Sequence, residues 1–272
     1  MLPAISQVCT LSSSFEDDLN GYADAAGTAI ELWLTKLEEF LETHSVEEVR
    51  HLATERNLHL AAASFQGGLL VAQGEARRAA WEQFTRRLDL CAVLGIPTLI
   101  VVPDFLGPFG MQDIERAQIS LKQAGEAALQ RGVRLAVEFQ AKATFLNNLE
   151  SAVSFTQSIE QPNVGVCLDL FHYYMGPSKF EDLAYLGREN LFHVQVCDVA
   201  DRPRELASDS DRIMPGDGDF RLQPIFDRLR EIGYEGYVSL ELLNPTLWRI
   251  PARQVGEIGL TALRMALGLA KQ

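Results

Sequence analysis

The chain has 272 residues, 47% of them hydrophobic and 22% charged, a composition that supports a large packed core. Its net charge of −13 argues against non-specific nucleic-acid binding and against anionic membranes, both of which need basic surfaces. No apolar run approaches the roughly 20 residues that cross a bilayer, and the start, MLPAISQVCTLSSSFEDD, lacks a basic leader region, so a cytoplasmic protein is expected.

Short apolar runs recur along the chain at Ile5–Leu11, Ile30–Leu34, Leu60–Phe65, Thr98–Pro103, Arg134–Phe139, Val164–Asp169, Leu191–Val196 and Tyr237–Leu242. They are rich in Val, Ile, Leu and Ala without polar alternation, as in strands of a parallel sheet buried on both faces. Between them lie stretches with helical periodicity. Leu37, Phe40, Leu41 and Val46 open one apolar stripe that Val49, Leu52 and Ala53 continue. Ala79, Ala80, Phe84, Leu88 and Leu94 form another, and 111–130 and 254–269 read the same way. Gly95, Gly132 and Gly233 each stand where a helix must stop before the next strand. Cys9, Cys91, Cys167 and Cys197 form no CxxC pair, and three lie in apolar runs; they are expected to be reduced, buried and small.

Eight strand–helix units in this length describe a single (β/α)8 TIM barrel over 1–272. The rival is an open doubly wound sheet, which carries a glycine-rich turn after its first strand. Here that place holds Ser12-Ser13-Ser14-Phe15.

In a barrel, polar residues at the C-terminal ends of strands face the active-site mouth. The last four runs supply Glu138, Asp169, Gln195 and Glu241, separated by 31, 26 and 46 residues. One such residue is ordinarily a loop anchor, whereas four in succession point to a shared task. Three carboxylates brought together repel one another, and a divalent cation removes that repulsion. Four oxygen donors suit a hard or borderline ion, Mn²⁺ first, with Mg²⁺ and Co²⁺ as alternatives. His172, three residues past Asp169, is a candidate substrate contact. Arg204, in the long polar segment after the seventh strand, is another, although it could equally pair with Glu205 or Asp201. PGDGD at 215–219 has no following lysine and reads as a turn before a helix, with Asp219 as a candidate N-cap.

At these residues the sequence resembles the xylose isomerase-like barrel superfamily, and within it the sugar phosphate isomerase/epimerase group. LAVEF, VGVCLDLFH, LFHVQVCDV, PGDGDF and GYEGYVSLEL carry the resemblance, which runs from about Thr98 to the end. It implies a metal held by Glu138, Asp169, Gln195 and Glu241, with Glu138 and Glu241 as the two catalytic carboxylates. The third ligand of the sugar epimerases is usually histidine. Gln195 departs from that pattern and is similar to the dehydroshikimate dehydratases. The histidine-rich zinc cluster of the AP endonuclease branch cannot be built from five histidines so placed. The expected activity is isomerisation or epimerisation of a small polyhydroxy ketone through an enediolate. The alternatives are a dehydratase of dehydroshikimate or inosose type, and a barrel that binds sugar or metal without turnover. A homo-oligomer is compatible with everything in the sequence.

Overall fold

A computed structural model describes residues 1–269. Its strands are β1 (Leu2–Ser6), β2 (Ala29–Trp33), β3 (His59–Gln66), β4 (Thr98–Val101), β5 (Arg134–Glu138), β6 (Val164–Asp169), β7 (Leu191–Val196) and β8 (Tyr237–Leu240). They follow one another in chain order around a closed barrel, as the sequence pattern requires. The helices are α1 (Phe15–Asp24), α2 (Leu34–Leu41), α3 (Val46–Glu55), α4 (Gly74–Leu94), α5 (Met111–Leu129), α6 (Leu149–Ser158), α7 (Leu170–Met175), α8 (Leu222–Glu231) and α9 (Ala252–Ala266). Among the described residues, no helix is long and apolar enough to cross a membrane.

The residues group into two compact units. One comprises Met1–Ala62 and the chain from Val194 onward; the other is Ala63–His193. In the first, β1 pairs in parallel with β2 and with β8, and β7 pairs with β8 from Val194 on. In the second, β3, β4, β5 and β6 pair in parallel in that order. Every residue of β6 is buried, which explains its unbroken apolar run. Gly165 sits in that strand because a β-carbon there would lie 2.5 Å from the Asn190 carbonyl oxygen and 2.8 Å from the Phe192 ring.

The expected helix stops are where the glycines stand. Gly95, Gly132 and Gly233 take left-handed φ angles of 72°, 69° and 68° after α4, α5 and α8. A side chain would be strained in that conformation. Three expectations are corrected. The first strand ends at Ser6, and Gln7–Thr10 instead form a 3-10 turn whose residues are all buried. Burial, not extension, explains that apolar run. The stripe from Leu37 to Ala53 is two helices, restarted at Ser45. The Ser45 hydroxyl accepts the Glu48 N–H, and the Glu48 carboxylate accepts the Ser45 N–H, a reciprocal cap that begins α3. Finally, α8 begins at Leu222, so Asp219 does not cap it; its carboxylate accepts the Asp201 N–H at 3.0 Å.

A buried ion pair ties the turn after β1 to α1 and α2. Lys36 Nζ lies 2.6 Å from Asp18 Oδ2 and donates to the Thr10 carbonyl at 2.9 Å. Thr10 Oγ1 and Gln7 Nε2 also donate to Asp18, at 2.7 and 3.2 Å. Burial pushes the Asp18 carboxyl up to about 6, against the opposing pull of Lys36 and of the Thr10 and Gln7 hydrogen bonds. Because the folded value is raised, this group's own titration favours the folded state most below its ordinary pKa. That contribution is lost as pH rises through about 6. Lys36→Met removes the strongest lowering influence, so the Asp18 carboxyl should titrate above about 6, read by carbon-13 NMR of its side chain. An ordinary carboxylate value in both proteins would show that Asp18 is solvated.

Candidate metal centre

Residues opposite one another on paired strands share a face, as do residues two apart on one strand. Glu138 at the end of β5 is in register with Cys167 of β6, and Asp169 lies two residues beyond Cys167. The two carboxylates therefore emerge on one face. Past Asp169 the chain turns at once into α7, because Asp169 Oδ1 accepts the Phe171 N–H at 2.6 Å and caps the helix. That turn brings His172 back over the strand ends. Its Nε2 stands 3.3 Å from Glu138 Oε1 and 3.8 Å from Asp169 Oδ2. The Ala141 N–H donates to His172 Nδ1 at 3.3 Å, so the neutral ring carries its proton on Nε2, facing Glu138. All three side chains are buried, and their ligand atoms lie within 4.8 Å of one another.

The first unit builds a second polar cluster. Gln195 on β7 donates through Nε2 to Glu241 Oε1 at 2.8 Å and to Glu31 Oε1 at 3.0 Å. Glu31, on β2, is in register with Ser6, whose hydroxyl donates to the same Glu31 oxygen at 3.2 Å. Arg212 Nη1 donates to Glu241 Oε2 at 2.8 Å, and its Nη2 lies 2.8 Å from Asp209 Oδ1. The Arg212 side chain is 1% exposed, whereas Arg204 lies exposed in the same loop. That loop is fastened by Asp198, whose carboxylate accepts the Val199, Gly216 and Phe220 N–H groups.

The structure thus places Glu138 with Asp169 and His172, and Gln195 with Glu241. Glu31 and Arg212 are among the residues of these clusters that were not singled out from sequence. Glu31 had a signal, an acidic residue inside the apolar strand AIELW. Arg212 had none, since three arginines share its loop. The four cysteines are buried and free, as expected, and burial pushes the Cys91 thiol up to about 12.

The donor set suits a divalent cation. In the second unit the Glu138 and Asp169 carboxylate oxygens lie within 4.8 Å of each other and of a His172 ring nitrogen, all three residues buried.

Residues 22–264 match the family model described as the xylose isomerase-like TIM barrel. The chain belongs to that family. It is 27% identical over 229 residues to the inosose isomerase of Halalkalibacterium halodurans, covering 81% of this chain and 79% of that one. It is 30% identical over 189 residues to the 3-dehydroshikimate dehydratase of Pseudomonas aeruginosa, covering 67% of this chain and 29% of that longer protein. A crystal structure of the IOLI protein with a zinc atom shares the fold, with a TM-score of 0.92, 23% identity and 98% of both chains covered. The named relatives of this xylose isomerase-like chain are enzymes, isomerases and dehydratases alike.

Arg212→Met would leave a buried Glu241 carboxylate without this cation. The metal-free protein should lose about 3–5 kcal/mol of folding stability in urea denaturation. Arg202, whose side chain is 57% exposed in its pair with Asp211, is the control. Arg202→Met should change stability by less than about 1 kcal/mol. Equal effects would show that the Arg212–Glu241 pair is solvated.

Proposed function

We propose that the chain is a divalent-metal-dependent isomerase or epimerase of a small ketose or keto-polyol, acting through an enediolate. The observation that carries this reading is the meeting of Glu138, Asp169 and His172 at barrel strand ends, in a chain similar to an inosose isomerase. In this reading the ligands are Glu138, Asp169, the Gln195 side-chain oxygen and Glu241, from strands consecutive in the barrel order. Oxygen donors favour Mn²⁺, with Mg²⁺ and Co²⁺ as alternatives. The ion supplies Lewis acidity for the negative charge that develops on the substrate oxygens.

The proton chemistry belongs to the chain's own groups. One glutamate, Glu138 or Glu241, takes the proton from the carbon beside the carbonyl, and the C–H electron pair moves into the enediolate. A proton returned to the opposite face gives the epimer. A proton returned to the neighbouring carbon gives the isomer. His172 stands with its Nε2 3.3 Å from Glu138 Oε1 and is a candidate substrate contact in this reading. Arg212 holds Glu241 at 2.8 Å, and Arg204, exposed in the same loop, is a candidate substrate contact in this reading.

The second reading, a dehydratase, is favoured by the 30% identical relative and by glutamine at 195. It begins with the same proton abstraction. Loss of a β-hydroxyl follows, with the leaving oxygen taking a proton from an acid, a role that His172 fills only in its protonated, imidazolium form.

The test is a panel of ketoses and inososes deuterated beside the carbonyl, with Mn²⁺-loaded and chelator-treated protein. The isomerase reading predicts deuterium loss by proton NMR that disappears with chelator and returns with Mn²⁺. A new ultraviolet absorbance from a conjugated product on dehydroshikimate would move the assignment to the dehydratase. No turnover, together with ligand-induced thermal stabilisation, would leave a binding protein.

A further inference from the structure

Gln195 differs from the carboxylates around it because its side chain has two unlike ends. The oxygen has lone pairs to offer a cation, whereas the amide nitrogen has none and repels one. If glutamine is to serve as a ligand, something must decide which end faces the ion. In most buried sites that choice is ambiguous, since the two ends are nearly the same size.

Here the chemistry of the neighbours decides it. One end of the Gln195 amide lies 3.0 Å from Glu31 Oε1 and 2.8 Å from Glu241 Oε1. The atom between them is the amide nitrogen, which donates to both oxygens. Its two protons match the two acceptors, and the carbonyl end is turned away from both. Glu241 is itself a ligand in the reading above, so it cannot serve as an independent reference for that orientation. Glu31 can. It lies on β2, outside the proposed ligand set, with no solvent exposure. Its carboxylate is anchored from the neighbouring strand by Ser6, its register partner, through the 3.2 Å hydrogen bond to the same oxygen that receives Gln195.

We propose that Glu31 is a positioning residue that holds the Gln195 amide nitrogen away from the metal site, so that the side-chain oxygen is presented as the ligand. The assignment rests on the reading of Gln195 as a ligand. Groups that orient metal ligands commonly contribute a factor of about 10–100 in affinity. The proposal also accounts for an otherwise unfavourable choice, a carboxylate with no solvent exposure in a strand whose other residues are apolar.

Two substitutions separate hydrogen-bond geometry from charge. Glu31→Gln keeps an acceptor oxygen at the same reach and removes the charge. Glu31→Asp keeps the charge and withdraws the acceptor by one methylene. Two readouts are taken on the full chain: Mn²⁺ affinity from the electron paramagnetic resonance signal of the free ion, and solvent exchange of the Gln195 side-chain NH₂ by nitrogen-15 NMR in metal-free protein, assigned by its loss in Gln195→Glu. The proposal predicts a slowly exchanging NH₂ in wild type and in Glu31→Gln, with most of the Mn²⁺ affinity kept. Glu31→Asp should show fast exchange and an affinity weakened by about tenfold or more. The reverse ranking would assign Glu31 an electrostatic or direct-ligand role and overturn the proposal. Equal affinity in all three proteins would overturn it as well. A wild type that takes up no Mn²⁺ would sink the ligand reading instead, and a protected NH₂ in that case would leave Glu31 a structural anchor only.

Discussion

A buried carboxylate must find partners, and this chain buries several within or just at the ends of its strands. Glu31 and Asp169 have no solvent exposure, and Glu138 and Glu241 have 6% each. Removing such groups from water is expensive unless donors or a cation meet them. The local architecture at the strand ends serves that need. Asp169 is met by the first turn of α7, Glu138 by His172, Glu241 by Gln195 and Arg212, and Glu31 by Ser6 and Gln195. Ser6 and Gln195 come from strands and His172 from α7, elements that hold a side chain rigidly, whereas Arg212 comes from the loop that Asp198 fastens.

That arrangement explains why much of the architecture was legible in the sequence. Strands buried on both faces write themselves as continuous apolar runs, and the left-handed turns that precede β4, β5 and β8 demand glycine. Where the reading failed, the cause was local. The run Ile5–Leu11 was apolar because a 3-10 turn is buried there, and composition does not distinguish a buried turn from a buried strand. The break between α2 and α3 lay in one serine and the glutamate three residues on, inside a stripe that otherwise continued.

The polar clusters were legible in part for a different reason. Asp169 and Glu241 break apolar runs at predictable ends, so position alone marks them. Glu31 breaks a run in the same way, but it belongs to an early strand whose neighbours carry no matching residue, so it looked solitary. Its meaning comes from Gln195, 164 residues away in sequence. Arg212 and Arg204 are indistinguishable by type and lie in one loop. In the structure Arg212 is buried against Glu241, its carbonyl held by Asn244, while Arg204 is exposed.

The family sets the kind of chemistry, and the residues of this chain set its particulars. In one unit a histidine proton faces Glu138, and in the other the Gln195 nitrogen donates to Glu31 and Glu241. The most direct test is a crystal structure of the Mn²⁺-soaked protein with anomalous diffraction. The account predicts one anomalous peak within bonding distance of Glu138, Asp169, Gln195 Oε1 and Glu241. No peak there, or a manganese ion bound only to surface carboxylates, would contradict it.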